Sequence, residues 1–505
     1  MSDGTPKEDN NELLLPPSEA CLTDLKSISN TPLLPLNLSE IGQICLKLMK
    51  SSLPTSLATF ASMGISMTSL GYIGHYGTPI ELAGAGLATI WGNVFYFGLI
   101  VSLNMAFQII ASQLYGANKH QELLRTFQKT VYVITIITVP LFVWLLVVNR
   151  FFALFEANQE INDNSEIYLI ASLPSLYFSV ITDVFRNCLR SQNYFFVQGA
   201  AQVVGAILHF FWSYLFVVGF DMPLVGSAIA RFITDGSTAV FLFWYVHKIH
   251  TETGRDLKWS LDCLAGWPSY LKRLALIGWN SYVVWIFYGI VGFMVSAMND
   301  EYIIGAFGLA STLSAFLPTL PMGNSFTLQV YLSNALGAGW KYKAQKIVFA
   351  GLSLCLCFSI TNVLIIVLWN DAIGAMLTSD LKTKEIYIEM VFIYAIMIIP
   401  EAFAEHLCGI VRTMGQEKKV FLSSNLVFLV LGVPLAWTLA FPLGKTYVGI
   451  WEANVIEMYL MFFIVLKIFL SLDWDLAINK IHERIEREPK VQSKEMSPLR
   501  NKEYV

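Results

Sequence analysis

The stretch ELAGAGLATIWGNVFYFGLIVSLNMAFQIIASQLYGA, running from Glu81 to Ala117, decides the class of fold. After Glu81 it carries no Asp, Glu, Lys or Arg until Lys119. A helix crosses the bilayer core in roughly 20 apolar residues, so this run is more than long enough. Polarity does not alternate along it, as it would in a strand of a membrane barrel. Lipid offers no partners to an open backbone, so the run must be helical. Its excess length implies that it tilts or projects beyond the bilayer.

The rest of the chain repeats the pattern. Of 505 residues, 55% are hydrophobic and 14% charged, and the mean hydropathy is +0.56. Soluble domains carry nearer to about 25% charged residues. Charges gather at 1–50, 247–273 and 471–505 and in short breaks between apolar runs. The runs predict spans at 50–73, 83–113, 128–149, 167–187, 195–219, 224–246, 272–298, 303–333, 347–369, 386–410, 420–441 and 447–470. The fold class is therefore an all-α polytopic membrane protein with about twelve transmembrane helices. The organisation reads as a disordered N-terminal tail at 1–45, a six-helix bundle at 46–247, a linker at 248–271, a second bundle at 272–471 and a C-terminal tail at 472–505. Ile481–Val505 reads as disordered. No cleavable signal peptide is visible, because the polar start lacks an apolar core behind basic residues. Seven cysteines without a CxxC pair support neither a disulfide framework nor a metal site, and Cys355 and Cys357 read as helix packing.

Basic residues orient the spans. The breaks after spans 2, 4, 8 and 10 hold Lys119 and Arg125, Arg186 and Arg190, Lys341, Lys343 and Lys346, and Arg412, Lys418 and Lys419. The central break holds Lys248, Arg255, Lys258, Lys272 and Arg273. Opposite breaks are acidic, with Glu156, Glu160, Asp163, Glu166, Asp221, Asp300 and Glu301. The ninth break is mixed. The basic breaks, the linker and both termini are thus expected in the cytoplasm. The sequon at Asn37 then lies on the side that is not glycosylated. The membrane is expected to be the plasma membrane or a vacuole-like endomembrane.

The chain also repeats itself. Gly84-Ala85 and Leu87-Ala88 return as Gly305-Ala306 and Leu309-Ala310, and Leu114-Tyr115-Gly116-Ala117 as Ala335-Leu336-Gly337-Ala338. Leu189-Arg190-Ser191 returns as Val411-Arg412-Thr413, and Val225-Gly226 as Val448-Gly449. The spacing stays between 221 (Leu114 to Ala335) and 223 (Val225 to Val448). An even number of spans per repeat gives both halves one orientation. The halves are then parallel and related by an axis along the membrane normal, with a substrate site between them near the midplane.

Soluble-enzyme motifs are missing: there is no Walker A sequence, no HExxH and no GxSxG. Gly84-Ala85-Gly86 lies inside a span and reads as close helix packing. Ionisable residues inside spans say more, since each costs about 2.5–3.5 kcal/mol on insertion scales. Glu401 follows Pro400 near the middle of span 10, and Glu405 lies one turn on, beside His406. Such a carboxyl can exchange protons, or it can be locked in a helix–helix hydrogen bond. Asp183 stands one turn from Arg186 and Asn187, which favours a structural ion pair. Arg231 and Asp235 can satisfy each other at i, i+4, and His209 reads as a hydrogen-bonded core residue. Asn93, Asn104, Gln108, Gln113, Asn280, Asn324 and Gln329 could face a watery cavity or join helices. Trp279, Tyr282, Trp285 and Tyr288 give span 7 an aromatic face. That face suits an organic cation through cation–π contact, or sits in the interfacial belt.

Taken together these residues resemble the eukaryotic branch of the multidrug and toxic compound extrusion (MATE) family. The carrying pieces are Tyr72-Ile73-Gly74-His75-Tyr76-Gly77, the run from Glu81 to Ala88, and Gln113-Leu114-Tyr115-Gly116-Ala117. In the second half they are Pro321-Met322-Gly323, Asn334 to Gly339, Pro400-Glu401-Ala402-Phe403-Ala404, Gly409 to Gly415, and Leu431 to Leu435. The resemblance implies two six-helix bundles in a V-shaped, MATE-like architecture. It implies export of small organic compounds in exchange for H⁺ or Na⁺. Glu401 matches the family's span 10 carboxylate, while Gly278, Val283 and Ser69 stand where relatives carry acids on spans 7 and 1.

The expectation is therefore a secondary antiporter for drug- or metabolite-like compounds, cationic ones included, and not an enzyme. Glu401, Glu405 and Asp183 are its candidate coupling residues. Asn93, Gln113, Trp279, Asn280, Tyr282, Asn324 and Glu401 are its candidate substrate contacts. No cofactor, metal or nucleic acid is expected. The partners are a small organic substrate, the coupling ion and the lipid bilayer, with the chain a monomer. The alternatives are a flippase for lipid-linked or amphiphilic substrates, a membrane-embedded enzyme and a non-transporting regulator.

Overall fold

The computed structural model describes residues 38–153, 159–254, 259–298, 300–378 and 380–486. The tails before Leu38 and after Glu486 lie outside them, as do Asn37, Glu156, Arg255 and Lys258. Among the described residues there is no strand.

Twelve long helices account for the apolar runs. They are α1 Leu38–Tyr76, α2 Pro79–Gly116, α3 His120–Ala153, α4 Gln159–Ser191, α5 Phe195–Gly219 and α6 Pro223–Glu252. The second half has α7 Trp267–Ser296, α8 in two pieces (Glu301–Phe316 and Thr319–Gly337), α9 Lys341–Leu377, α10 Leu381–Thr413, α11 Glu417–Ala440 and α12 Thr446–Leu470. Ten of them are long and apolar enough to cross a membrane by composition alone. The other two, α1 and α6, are diluted by polar residues that turn inward: Ser52, Thr55, Ser56 and Ser69 on α1, and Ser227, Thr234 and Asp235 on α6 are all buried.

The excess length of spans 2 and 8 is used in different ways. Helix α2 widens into a π-helical turn at Asn93–Phe97, and α8 breaks at Leu317–Pro318. Two further π-helical turns, Tyr214–Gly219 and Asn425–Gly432, lie in α5 and α11.

The repeat spacing reappears in the packing between the halves. A Cβ at Gly116, the end of α2, would strike the Asn334 carbonyl of α8. A Cβ at Gly337, the end of α8, would strike the Gln113 carbonyl of α2. Gly116 and Gly337 are repeat partners, as are Gln113 and Asn334, so one contact is the other turned about the axis between the halves. The same holds deeper in. Gly278 on α7 abuts the Ser102 carbonyl on α2, and Gly323 on α8 abuts Ser56 on α1. Only glycine lets the backbones approach so closely. Gln113 Nε2 donates to the Thr413 carbonyl at 2.9 Å, and its partner Asn334 donates to Asn193 Oδ1 at 3.1 Å. Arg190 covers the Phe326 ring at 5.1 Å, adding a link from α4 to α8. The two parallel six-helix halves thus meet tightly at the end bearing Lys119 and Lys341, called the basic end below.

Two boundaries differ from the sequence reading. Residues 38–45 are not a disordered tail but the first turns of α1, where Glu40 pairs with Lys346 of α9 at 2.8 Å. Residues 474–486 form a helix, α13, which buries Ala477, Ile481 and Ile485 against the basic end. Arg484 meets Glu417 at 3.3 Å, Asp475 meets Lys341 at 2.5 Å, and His482 Nε2 donates to the Gly337 carbonyl at 3.0 Å. Isoleucines four residues apart on a short amphipathic helix explain the docking, a signal diluted in the sequence by the charged residues around them.

Candidate functional site

A cavity of about 400 Å³ lies mainly in the second half, against the seam with the first. The break at Pro318 brings Pro318, Pro321, Met322 and Ser325 of α8 to its wall. Helix α7 contributes Asn280, Trp285 and Tyr288, and α10 contributes Ile398, Glu401 and Glu405. Phe428 of α11 and Met458 and Met461 of α12 close the far side, with Met63 of α1 and Met105 of α2 across the seam. The volume is that of small-molecule sites, about 300–1,000 Å³. Aromatic and methionine surface around a pair of carboxyls suits a flat organic compound, and a cation best.

Two carboxyls of α10 enter this cavity in different company. Glu405 is held by Arg412, whose Nη2 donates to Oε1 at 3.3 Å, and that guanidinium also donates to Ser281 at 2.8 Å. Arg412 is buried, so its charge needs the carboxylate. Glu401 has the hydroxyl of Tyr394, two turns earlier on α10, as its hydrogen-bonding neighbour. His406 is structural. Its Nδ1 lies 2.7 Å from the Ala402 carbonyl and must donate there, so Nε2 accepts from Asn324 Nδ2 at 3.0 Å. Asn324 also donates to the Gly351 carbonyl, which ties α8 to α9 and α10.

The structure brings Glu401, Glu405 and Asn280 to one cavity and puts the other candidates elsewhere. Trp279 donates to Asn425 Oδ1 of α11 at 3.1 Å, and Tyr282 packs edge-on against it. Asn324 is buried behind the wall, and Gln113 holds the seam. Asn93 and Arg231 line a hollow of about 20 Å³ in the first half. Asp183 pairs with Arg190 at 3.4 Å and accepts from Asn187 at 3.1 Å.

Sequence reasoning passed over Glu457. It lies on α12, is 1% exposed, and neither carboxylate oxygen has a hydrogen-bond partner among the described residues. The signal was present: one acid between Ile456 and Met458 in an apolar run, at the repeat spacing from Asp235. It lacked a neighbouring proline or polar cluster to draw notice.

A family model settles the relationship. MatE matches the chain twice, over residues 54–215 and 277–438. The chain belongs to the MatE family. The double match falls on the two halves at the repeat spacing, and family membership makes this a transporter rather than an enzyme. Among relatives, multidrug and toxin extrusion protein 1 of Rattus norvegicus is 25% identical over 437 residues, covering 85% of this chain and 75% of its own. Protein DETOXIFICATION 49 of Arabidopsis thaliana is 24% identical over 459 residues, covering 90% of each. Among solved structures, the eukaryotic MATE transporter AtDTX14 superposes with a TM-score of 0.80 at 16% identity. The match spans 88% of this chain and all of that one. The Vibrio cholerae MATE transporter VcmN in its bent form gives a TM-score of 0.73, also at 16% identity, over 86% of this chain and 99% of that one. These likenesses support the fold. Gly278 and Val283 on α7 are buried in helix packing, and α7 brings Asn280, Trp285 and Tyr288 but no carboxyl to the cavity.

Proposed function

We propose that the chain is a secondary antiporter which exports small organic compounds, cationic ones included, in exchange for H⁺ or Na⁺, with Glu401 as the coupling carboxyl. The observation that carries this reading is the placement of Glu401 in the cavity wall, without a basic partner among the described residues, beside the ion-paired Glu405. A proton or a cationic substrate can neutralise Glu401 in turn, so the two compete for one group. Transport then follows if the states with the cavity open to either side hold proton and substrate with different affinity. The names of the animal relatives, multidrug and toxin extrusion proteins, agree with this substrate class.

The orientation proposed has the basic end and both termini in the cytoplasm, in the plasma membrane or a vacuole-like membrane, with the chain a monomer. The functional halves are taken as 46–247 and 272–471, joined by 248–271. Lys341, Lys418 and Lys419 at the basic end support this orientation through the bias of basic residues toward the cytoplasm.

The test is flux of the organic cation ethidium into proteoliposomes under an imposed pH gradient, with and without Na⁺, for the wild type and Glu401→Gln. Wild-type flux that follows the pH gradient and is lost in Glu401→Gln is the expected result. Flux that follows only a Na⁺ gradient assigns the other ion. Full gradient-driven flux in Glu401→Gln removes Glu401 from the role.

A further inference from the structure

The first half shows what this fold does with a structural acid on its sixth span. Asp235 of α6 is buried, and Arg231, one turn earlier, lies 3.6 Å from it. At the repeat spacing the second half has Glu457 in place of Asp235 and Ala453 in place of Arg231. The acid is kept and its counter-charge is gone. Ala453 is fully buried, so no solvent replaces the missing cation there.

Among the described residues no hydrogen bond takes the place of that cation. Its carboxyl rests on Gly432 of α11: a Cβ at that position would lie 2.5 Å from Cδ of Glu457. Gly432 ends the π-helical turn Asn425–Gly432, where backbone pairing is wider than in an α-helix and such turns gather at functional sites. From α7, Tyr288 lies within electrostatic reach of both Glu401 and Glu457. From α10, Tyr394 and Glu401 stand in the cavity wall, with Glu405 and His406 further along it. Phe428 of α11 and Met458 of α12, the residue after Glu457, line the cavity, while Glu457 itself does not. A carboxylate with neither counter-charge nor donor is costly to bury, so a group in this setting is accommodated as the neutral acid. An acid retained in such a place without a structural partner suits a proton-exchanging role.

We propose that Glu457 is a second proton-exchanging carboxyl of the transport cycle, set behind Glu401 and exposed when α11 shifts about its π-helical turn. This rests on the antiport reading above and adds a proton to it. The chain then has two exchangeable carboxyls in one half, one on α10 and one on α12, although α7 provides none.

Two measurements on the purified full-length chain separate this inference from that reading. The first is infrared difference spectroscopy titrated from mildly acidic to mildly alkaline pH, which needs no flux. The protonated-carboxyl band of the wild type is expected to lose one component in Glu457→Gln and another in Glu401→Gln. The second is the ratio of protons to ethidium in proteoliposomes, read with an internal pH dye. It is expected to fall in Glu457→Gln while ethidium flux persists, and Glu457→Asp is expected to restore it with a shifted pH profile. If Glu457→Gln does not yield monodisperse protein, the infrared titration of Glu457→Asp carries the test through a displaced midpoint. A Glu457→Gln spectrum that superimposes on the wild type at every pH, or a Glu457→Asp midpoint that does not move, overturns the inference. Loss of gradient-driven flux in the wild type would overturn the antiport reading instead.

Discussion

The two halves share a backbone plan and differ in how they treat acids. In the first half Asp183 pairs with Arg190, and Asp235 with Arg231. In the second half Glu405 pairs with Arg412, which repeats the first of these contacts at the same spacing along the helix. Two further acids within the spans of the second half, Glu401 and Glu457, have no basic partner among the ion pairs of the described residues. Ser179 stands where Glu401 would be in the first half, and Ala453 stands where Arg231 would be in the second. Duplication supplied one framework twice, and charge compensation was kept in one copy and relaxed in the other. The compensated acids are each paired within their own helix. On the antiport reading proposed above the uncompensated ones trade protons, and the cavity lies on their side.

The largest effect expected from breaking this asymmetry is at Glu401. Glu401→Gln keeps the shape and hydrogen-bonding capacity and removes the titration. Gradient-driven ethidium flux should fall by about 5- to 150-fold, the range of ordinary coupling free energies. Ser179→Gln serves as the control at the matching position in the first half and should leave the flux within about two-fold, since no coupling free energy is lost there.

Arg231 tests the opposite side of the comparison. Arg231→Ala leaves Asp235 buried without its cation, and breaking one side of a buried pair costs about 3–5 kcal/mol. The melting temperature in detergent should drop clearly. Adding Asp235→Asn should recover most of the loss, because the stranded charge is then gone. Recovery of stability without change in the pH dependence of transport would mark the first-half acid as structural. A matching change in that pH dependence would dissolve the distinction between the halves.

Much of this was legible in the sequence because lipid imposes simple rules. Span count, helical class and parallel halves follow from run length and from repeats such as Leu114-Tyr115-Gly116-Ala117. The place of Glu401 in the cavity wall was legible because Pro400 and an in-span charge mark it. The pairing of Asp183 was legible from near neighbours, although its partner is Arg190 and not Arg186. The substrate contacts were less legible. Trp279 and Tyr288 lie on the same helix, yet one faces Asn425 and the other the cavity. That choice depends on helix rotation, which π-helical turns and the Pro318 break reset, and none of these has a clear local sequence signal. Glu457 needed the two halves to be compared position by position.

The seam between the halves offers a smaller effect. Gly116→Ala and Gly337→Ala each place a methyl against a carbonyl of the other half. Overpacking of this kind costs about 1–3 kcal/mol. Because the contacts are repeat partners, the two variants should lose similar melting temperature and should shift the conformational balance the same way, away from the state in which the basic end is closed. Thiol accessibility of a cysteine introduced near Gly116 would report that shift. Unequal losses would show that the halves are not equivalent at their joint, whatever their acids do.

The smallest effect on transport is expected where the halves agree. Asp183→Asn and Glu405→Gln alter the same Arg-to-acid contact in each half, two turns before Arg190 and Arg412. Both amides keep an oxygen that can accept from the guanidinium. The Glu405 side chain is 35% exposed toward the cavity, so solvent screens its charge and moderates the change. The guanidiniums are buried, so losing the carboxylate charge should cost about 1.5–3 kcal/mol in each case, the range for a hydrogen bond to a charged group. Ethidium flux under a pH gradient should persist in both variants, and the pH profile should stay near that of the wild type. Glu405→Gln is the sharper of the two, because Glu405 shares a cavity and a helix face with Glu401. If it removed gradient-driven flux while Asp183→Asn did not, proton exchange would extend along α10 to an ion-paired acid. Lack of a basic partner would then no longer separate working acids from structural ones, and proximity to the cavity alone would decide.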